Sequence, residues 1–307
     1  MREPEMTQEL QAELHQGVLV RFFGGFYVAA DADGQEYTLR CPKKFRHQRL
    51  SPLVGDAVRF TPGQGEEEGW LVEILPRKTE CIRPPVANVT LLLVSICPSP
   101  EPDLLLVDRL LARAKKQGMK TALIVGKCDL DGGKLLVQMQ EVYRGADCPV
   151  LGVSARNKEG LDSVRALMRG ADCCCLAGQS GVGKSTLLNA LLDLQLETGE
   201  ISEKIQRGKN TTRYAQLLIH DGIRVLDTAG FSLLETEKGM EPEKLQELYP
   251  EFQPYIGQCR FQPCLHDREP DCAVTQAVQA GEIDGNRVAR YRELLADVRL
   301  AWKNRYQ

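Results

Sequence analysis

Gly178-Gln179-Ser180-Gly181-Val182-Gly183-Lys184-Ser185 fits G-x-x-x-x-G-K-[ST] at every fixed position. The apolar run 173–177 before it reads as a strand, and 186–194 after it reads as a helix. That setting separates a phosphate-binding loop from a chance match. Glycines let backbone N–H groups turn inward around phosphates, and the helix N-terminus adds the positive end of its dipole. In such a loop Lys184 reaches the β- and γ-phosphates and Ser185 takes the Mg²⁺, with Gln179, Ser180, Val182 and Thr186 completing the cradle. The loop alone does not separate ATP from GTP.

Outward from this loop the chain alternates strands and helices. Apolar runs at 89–96, 121–125 and 150–153 read as strands, and amphipathic stretches at 103–117, 134–143 and 161–168 as the helices between them. Asp221-Gly222, between 215–220 and 223–226, is a hairpin signal. The pattern predicts a doubly wound, mostly parallel α/β sheet with helices on both faces. Downstream, Asp227-Thr228-Ala229-Gly230 ends a strand where a P-loop NTPase places the acid of its Mg²⁺ shell, then a glycine whose N–H meets the γ-phosphate.

Upstream, Gly126-Lys127-Cys128-Asp129 follows a strand and matches the guanine-reading N-K-x-D element except at its first position. An Asp there accepts hydrogen bonds from guanine N1–H and the 2-amino group; adenine offers no such donor pair. The Asn that Gly126 replaces braces the loop and contacts N7, so weaker binding with unchanged base preference is expected. Ser154-Ala155 ends the next strand and would bring a backbone N–H to guanine O6. Each element alone reads as a surface turn. Both at consecutive strand ends, in one sheet with a P-loop, read as a guanine pocket. In most GTPases these elements follow the P-loop, whereas here they precede it. Such a circular permutation is permissible because domain termini often lie close together.

Two further units flank this domain. Five short strands, at 18–23, 26–30, 37–41, 57–60 and 70–75, suit a small barrel of the OB type, although an SH3-like barrel would give a similar pattern. OB barrels bind single-stranded nucleic acid or structured RNA. Toward the C-terminus, helical stretches at 243–249 and 286–302 frame Cys259, Cys264, His266 and Cys272, spaced C-x4-C-x-H-x5-C. Three thiolates and an imidazole, with no position left for a substrate water, predict one closed structural Zn²⁺ site. The expected division is a barrel at 1–78, a permuted GTPase domain at 79–234 and a helical zinc-binding domain at 235–307.

Composition narrows the function classes. Hydrophobic residues are 43% and charged residues 26%, an ordinary globular balance. With 39 Lys and Arg against 42 Asp and Glu, the formal charge of −3 gives no global attraction to nucleic acid. A local patch, Arg40, Lys43, Lys44, Arg46 and Arg49, reads equally as an RNA contact or a solvated loop. No secretory leader and no membrane-length apolar run is seen, so a reducing cytoplasmic setting is expected for the eleven cysteines. Nothing specifies an oligomer, and a monomer is expected.

The permuted order, the barrel before it and the zinc spacing behind it resemble the bacterial small-subunit-dependent ribosomal GTPases, the RsgA or YjeQ family. Pro52-Leu53-Val54-Gly55-Asp56, Arg83-Pro84, Asn88, Asp108-Arg109-Leu110 and His266-Asp267-Arg268-Glu269-Pro270-Asp271-Cys272 extend the likeness over almost the whole chain. The resemblance implies a protein that binds the immature 30S subunit and its 16S rRNA through barrel and zinc module. It further implies help with late maturation and GTP hydrolysis to GDP stimulated by the subunit. A different account treats GTP occupancy as an RNA-binding checkpoint, with hydrolysis only as reset. The family's nucleotide contacts fall on Lys127, Asp129 and 178–186, and its zinc ligands on the four residues above. Arg207-Gly208-Lys209-Asn210-Thr211-Thr212-Arg213 looks like the family's Arg-Gly-Arg-His-Thr-Thr loop, with Thr211 or Thr212 toward Mg²⁺. Asn210 stands where the family has the His that is a candidate for positioning the attacking water, and Phe231, after D-x-x-G, has no polar atom. Weak intrinsic turnover is therefore expected.

Overall fold

The computed structural model describes residues 14–43, 45, 50–63, 65, 67–81, 85–193, 215–227 and 240–305. Strands β1 (His15–Phe23), β2 (Phe26–Ala30), β3 (Glu36–Arg40), β4 (Ala57–Thr61) and β5 (Gly69–Ile74) close into a barrel of order β1-β2-β3-β5-β4. β3 and β5 are parallel and the other pairs antiparallel, the crossed order of an OB-type barrel rather than a meander. Strand alternation sends Leu19, Leu39, Val58, Phe60 and Leu71 into its interior, each fully buried. Val18, Val20, Val28 and Ala30 project the other way and join the core of the neighbouring sheet.

A short ladder, β6 (Glu80–Cys81) with β7 (Val86–Ala87), ties the barrel to that sheet. Gly55 has φ +93°, and a Cβ there would lie 2.1 Å from the Ala87 carbonyl, so only glycine allows this approach. The buried Asp56 carboxylate accepts from Leu53 N–H at 2.7 Å and from two guanidinium nitrogens of Arg77 at 2.7 and 2.8 Å. Asn88 accepts from Lys78 N–H and donates to the Gly55 carbonyl at 2.9 Å. These contacts give the Pro52–Asp56 stretch and Asn88 a structural job at the junction.

The central sheet contains β8 (Leu91–Ile96), β9 (Lys120–Val125), β10 (Val150–Gly152), β11 (Cys174–Ala177), β12 (Gln216–His220) and β13 (Ile223–Asp227). Its order is β10-β9-β8-β11-β13-β12, with only the edge strand β12 antiparallel. Helices α1 (Leu104–Lys116) and α2 (Lys134–Val142) cover one face; α3 (Leu161–Arg169) and α4 (Lys184–Leu191) cover the other. Chain order reverses between β8 and β11, which places a ligand crevice at the carboxyl ends of those two strands. Cys173, Cys174 and Cys175 are buried as small hydrophobes, and no disulfide joins any of the eleven cysteines.

Beyond the sheet, Pro242–Leu248 and Pro250–Tyr255 are 3-10 helices rather than the α-helix expected at 243–249. Prolines at 242, 250 and 254 withhold N–H groups and break the α-ladder into short turns. Helices α5 (Ala273–Gln279) and α6 (Gly285–Lys303) complete this unit. It docks on α1 through a buried ion network. Arg287 reaches Asp108 at 2.6 Å and also bonds Glu251; Arg290 reaches the other Asp108 oxygen at 2.6 Å. Tyr143 donates to Asp108 at 2.8 Å, and the Arg287 guanidinium lies 4.8 and 4.7 Å from the ring centroids of Tyr143 and Tyr249.

Candidate functional site

The phosphate loop leaves β11 and turns into α4. Gly178, at φ +137°, packs so close to β8 that a Cβ would sit 2.2 Å from the Ser95 carbonyl. Gly183 caps α4 with φ +94°, and Val182 is buried beneath the turn. The Lys184 ammonium donates to the Gly178 and Gln179 carbonyls at 2.9 and 2.8 Å, which holds it at the centre of the loop. Burial pushes its pKa down, because desolvation disfavours the charged form; a phosphate there would offset that shift.

The turns at 126–129 and 154–155 meet the loop from the other side of the crevice. Lys127 adopts φ +54°, and its ammonium donates to the Ser99 carbonyl at 2.9 Å and the Gly181 carbonyl at 3.4 Å. It therefore bridges the base-reading turn to the phosphate loop. Ser154 donates to a carboxylate oxygen of Asp129 at 2.7 Å and accepts from Asn157 N–H at 3.2 Å. This fixes the Asp129 carboxylate while leaving its second oxygen for a ligand. Cys128 N–H donates to Val153 O at 3.2 Å, joining the two turns. Gly126, Lys127, Asp129, Ala155, Gly183 and Thr186 all line one cavity of about 250 Å³. Asp227 ends β13, whose neighbour β11 runs into the phosphate loop. Asn210, Thr211, Thr212, Gly230 and Phe231 lie outside the described residues.

A larger cavity, about 870 Å³, opens where the sheet strands begin, around Thr90, Lys120 and Pro149. Two lysines on its wall are already paired, Lys78 with Asp172 and Lys115 with Asp147. It has no glycine loop, so chemistry rather than size selects the smaller site.

Cys259, Cys264, His266 and Cys272 are all buried, with their ligand atoms within 4.8 Å of one another. The three sulfurs lie 3.6, 3.5 and 3.3 Å from His266 Nδ1, and Cys259 Sγ lies 4.0 Å from Cys272 Sγ. His266 Nε2 pairs with Gln246 Oε1 at 2.8 Å, which leaves Nδ1 facing the sulfurs. Ala273 and His266 N–H groups point at Cys259 and Cys264 sulfurs at 3.3 and 3.4 Å. Burial raises the Cys264 thiol pKa and lowers that of His266; a bound cation would oppose the first shift by favouring thiolate. No motif marks Gln246, Glu251 or Arg287 in the sequence; their partners become visible only in the fold.

The sequence model of the RsgA GTPase matches residues 74–237, and that of the RsgA N-terminal domain matches 16–71. The chain belongs to the RsgA family. Its relatives in this family include the small ribosomal subunit biogenesis GTPase RsgA of Geobacillus thermodenitrificans, 41% identical over 92% of this chain and 97% of that one. The protein of the same name from Caldanaerobacter subterraneus is 38% identical over 95% and 98%. Among solved structures, YjeQ from Thermotoga maritima superposes with a TM-score of 0.80 at 32% identity, covering 93% of this chain and 98% of that one. YloQ, described as a circularly permuted GTPase, gives 0.77 at 28% identity over 95% and 98%. As a member of the RsgA family the chain is a GTP hydrolase of small ribosomal subunit biogenesis.

Proposed function

We propose that guanine nucleotide lies across the β8–β11 crevice, with Asp129 on the base edge, Ala155 N–H toward O6 and the phosphates in the loop 178–185. The observation that carries this is the single cavity onto which both turns and the phosphate loop open. Lys184 binds the β- and γ-phosphates. Ser185 and Asp227 hold the Mg²⁺, which when bound neutralises charge developing on the transferred phosphoryl group. Thr211 or Thr212 would complete the Mg²⁺ shell and Gly230 N–H would meet the γ-phosphate, with Asn210 orienting the water. An amide hydrogen-bonds water but takes no proton, so basal turnover is slow by about 10²–10⁴ relative to a site with a full general base.

Zn²⁺ fits the C-terminal cluster. Metal–ligand lengths of about 2.3 Å to sulfur and 2.0 Å to nitrogen in a tetrahedron place sulfurs about 3.8 Å apart and nitrogen about 3.6 Å from sulfur. The separations around His266 match this within a few tenths of an ångström. Its work is structural.

The partner is the 30S subunit, engaged through 16S rRNA by the barrel and the zinc-bearing unit. At one barrel rim Phe23 is 75% exposed and Trp70 49% exposed, with the Arg40 guanidinium 5.8 Å from the Phe26 ring centroid. Exposed rings interleaved with guanidinium suit stacking on unpaired bases. Arg40 also pairs with Glu68 at 2.8 Å, while Lys44, Arg46 and Arg49 lie outside the described residues. GTP hydrolysis measured alone, with purified 30S subunits and with 50S subunits tests the proposal. Stimulation by 30S only is expected; a fast basal rate indifferent to 30S would sink it.

A further inference from the structure

At the floor of the nucleotide cavity Ser95 is 1% exposed, and its hydroxyl has no hydrogen-bond partner among the described residues. A buried polar group left unpaired is unfavourable and calls for a reason. Strand alternation fixes its direction. Leu91 and Leu93 share its face and pack under α3 and α4, whereas Leu92, Val94 and Ile96 face α1 and α2. Ser95 thus points toward the first turn of α4, beside Val182, Gly183 and Thr186. On the adjacent strand Ile124 pairs with Ser95 and also faces α4, so position 126, two residues on, projects to that same side. There the chain has glycine. A Cβ built on it would meet only the Ile96 carbonyl, at 3.5 Å, an ordinary contact. The missing Asn side chain has left a notch, and a lone hydroxyl lies next to it.

We infer that Ser95 is a nucleotide-positioning residue that takes the place of the absent side chain at 126. Its hydroxyl donates across the notch to the N7 edge of bound guanine, over a gap that one bridging water can span. The inference rests on the reading that Asp129 holds the opposite edge of the base. It also accounts for the unpaired hydroxyl, whose partner arrives with the nucleotide.

The test compares GDP, 7-deaza-GDP and ADP affinities of the full chain and of Ser95→Ala, Gly126→Asn and the double variant, with thermal midpoints measured without nucleotide. The unaltered chain should bind 7-deaza-GDP about five- to tenfold more weakly than GDP, the worth of one hydrogen bond. Ser95→Ala should lose that factor for GDP and nothing further for 7-deaza-GDP, with its nucleotide-free midpoint unchanged or higher. Gly126→Asn should restore GDP binding in the Ser95→Ala background, a non-additive rescue. Ser95→Ala binding GDP as before, or losing equally for both guanine nucleotides, overturns the inference while leaving the base pocket intact. Equal affinity of the unaltered chain for ADP and GDP would instead remove the Asp129 reading, and this inference with it.

Discussion

On the proposed reading, base choice turns on Asp129. Its carboxylate is an acceptor at both oxygens, and Ser154 occupies one of them at 2.7 Å. Replacing it with Asn keeps the shape but turns one acceptor into a donor. Guanine then meets an N–H against its 2-amino group, whereas xanthine, with a C2 carbonyl, meets a partner. Asp129→Asn should lose GDP affinity by about 100-fold or more, two hydrogen bonds including a charged one, and gain affinity for xanthosine diphosphate. Competition against a fluorescent nucleotide reads both; a variant that still prefers GDP contradicts the assignment. Ser154→Ala should weaken GDP binding by about tenfold or less without changing which base is preferred, since the hydroxyl only steadies the carboxylate. The placing of these residues was legible in the sequence. A P-loop and a G-K-x-D turn are contiguous residues at strand ends, and the fold brings both to one cavity. Ser95 was not, because a serine inside an apolar strand looks like filler until its face and neighbours are known.

Elements carry the second level of the account. With a metal bound, the cluster Cys259, Cys264, His266 and Cys272 would pin a stretch otherwise made of proline-interrupted 3-10 turns and one short helix, α5. Such turns satisfy few of their own backbone groups, so a cross-link substitutes for the missing regular structure. One zinc per chain by elemental analysis is expected. Cys264→Ser should abolish that stoichiometry and lower the unfolding midpoint by about 4–8 °C, equivalent to about 2 kcal/mol in a chain of two or three domains. Full retention of both metal and midpoint would argue against a structural ion. The four residues that the fold brings together there could be read from spacing alone. The 3-10 geometry around them is written in Pro242, Pro250 and Pro254, which a helical reading of 243–249 leaves out.

At the level of the molecule, the C-terminal unit follows the GTPase sheet in chain order, and that unit is fastened to the sheet's helix α1 by Asp108. Asp108 accepts from Arg287, Arg290 and Tyr143 in a buried interface, and Arg287 also serves Glu251. Removing one member of a buried ion network strands its partners. Asp108→Ala should therefore cost about 3–5 kcal/mol and separate the unfolding of the C-terminal unit from that of the sheet. Denaturant titration followed in both units checks this; one unshifted transition would show the network to be dispensable. No sequence pattern tied Asp108 to Arg287, since their contact spans the whole length between α1 and α6 and exists only once both helices pack. The overall plan was legible for the opposite reason. Barrel, alternating sheet and metal module each write a local rhythm, and their order along the chain needs no knowledge of contacts.

The most direct measurement is a crystal structure of the chain with GDP and Mg²⁺. The account predicts the Asp129 carboxylate within about 3 Å of guanine N1 and the 2-amino nitrogen, with the phosphates wrapped by residues 178–185. A base seated elsewhere, or that carboxylate turned out of the pocket, would contradict it.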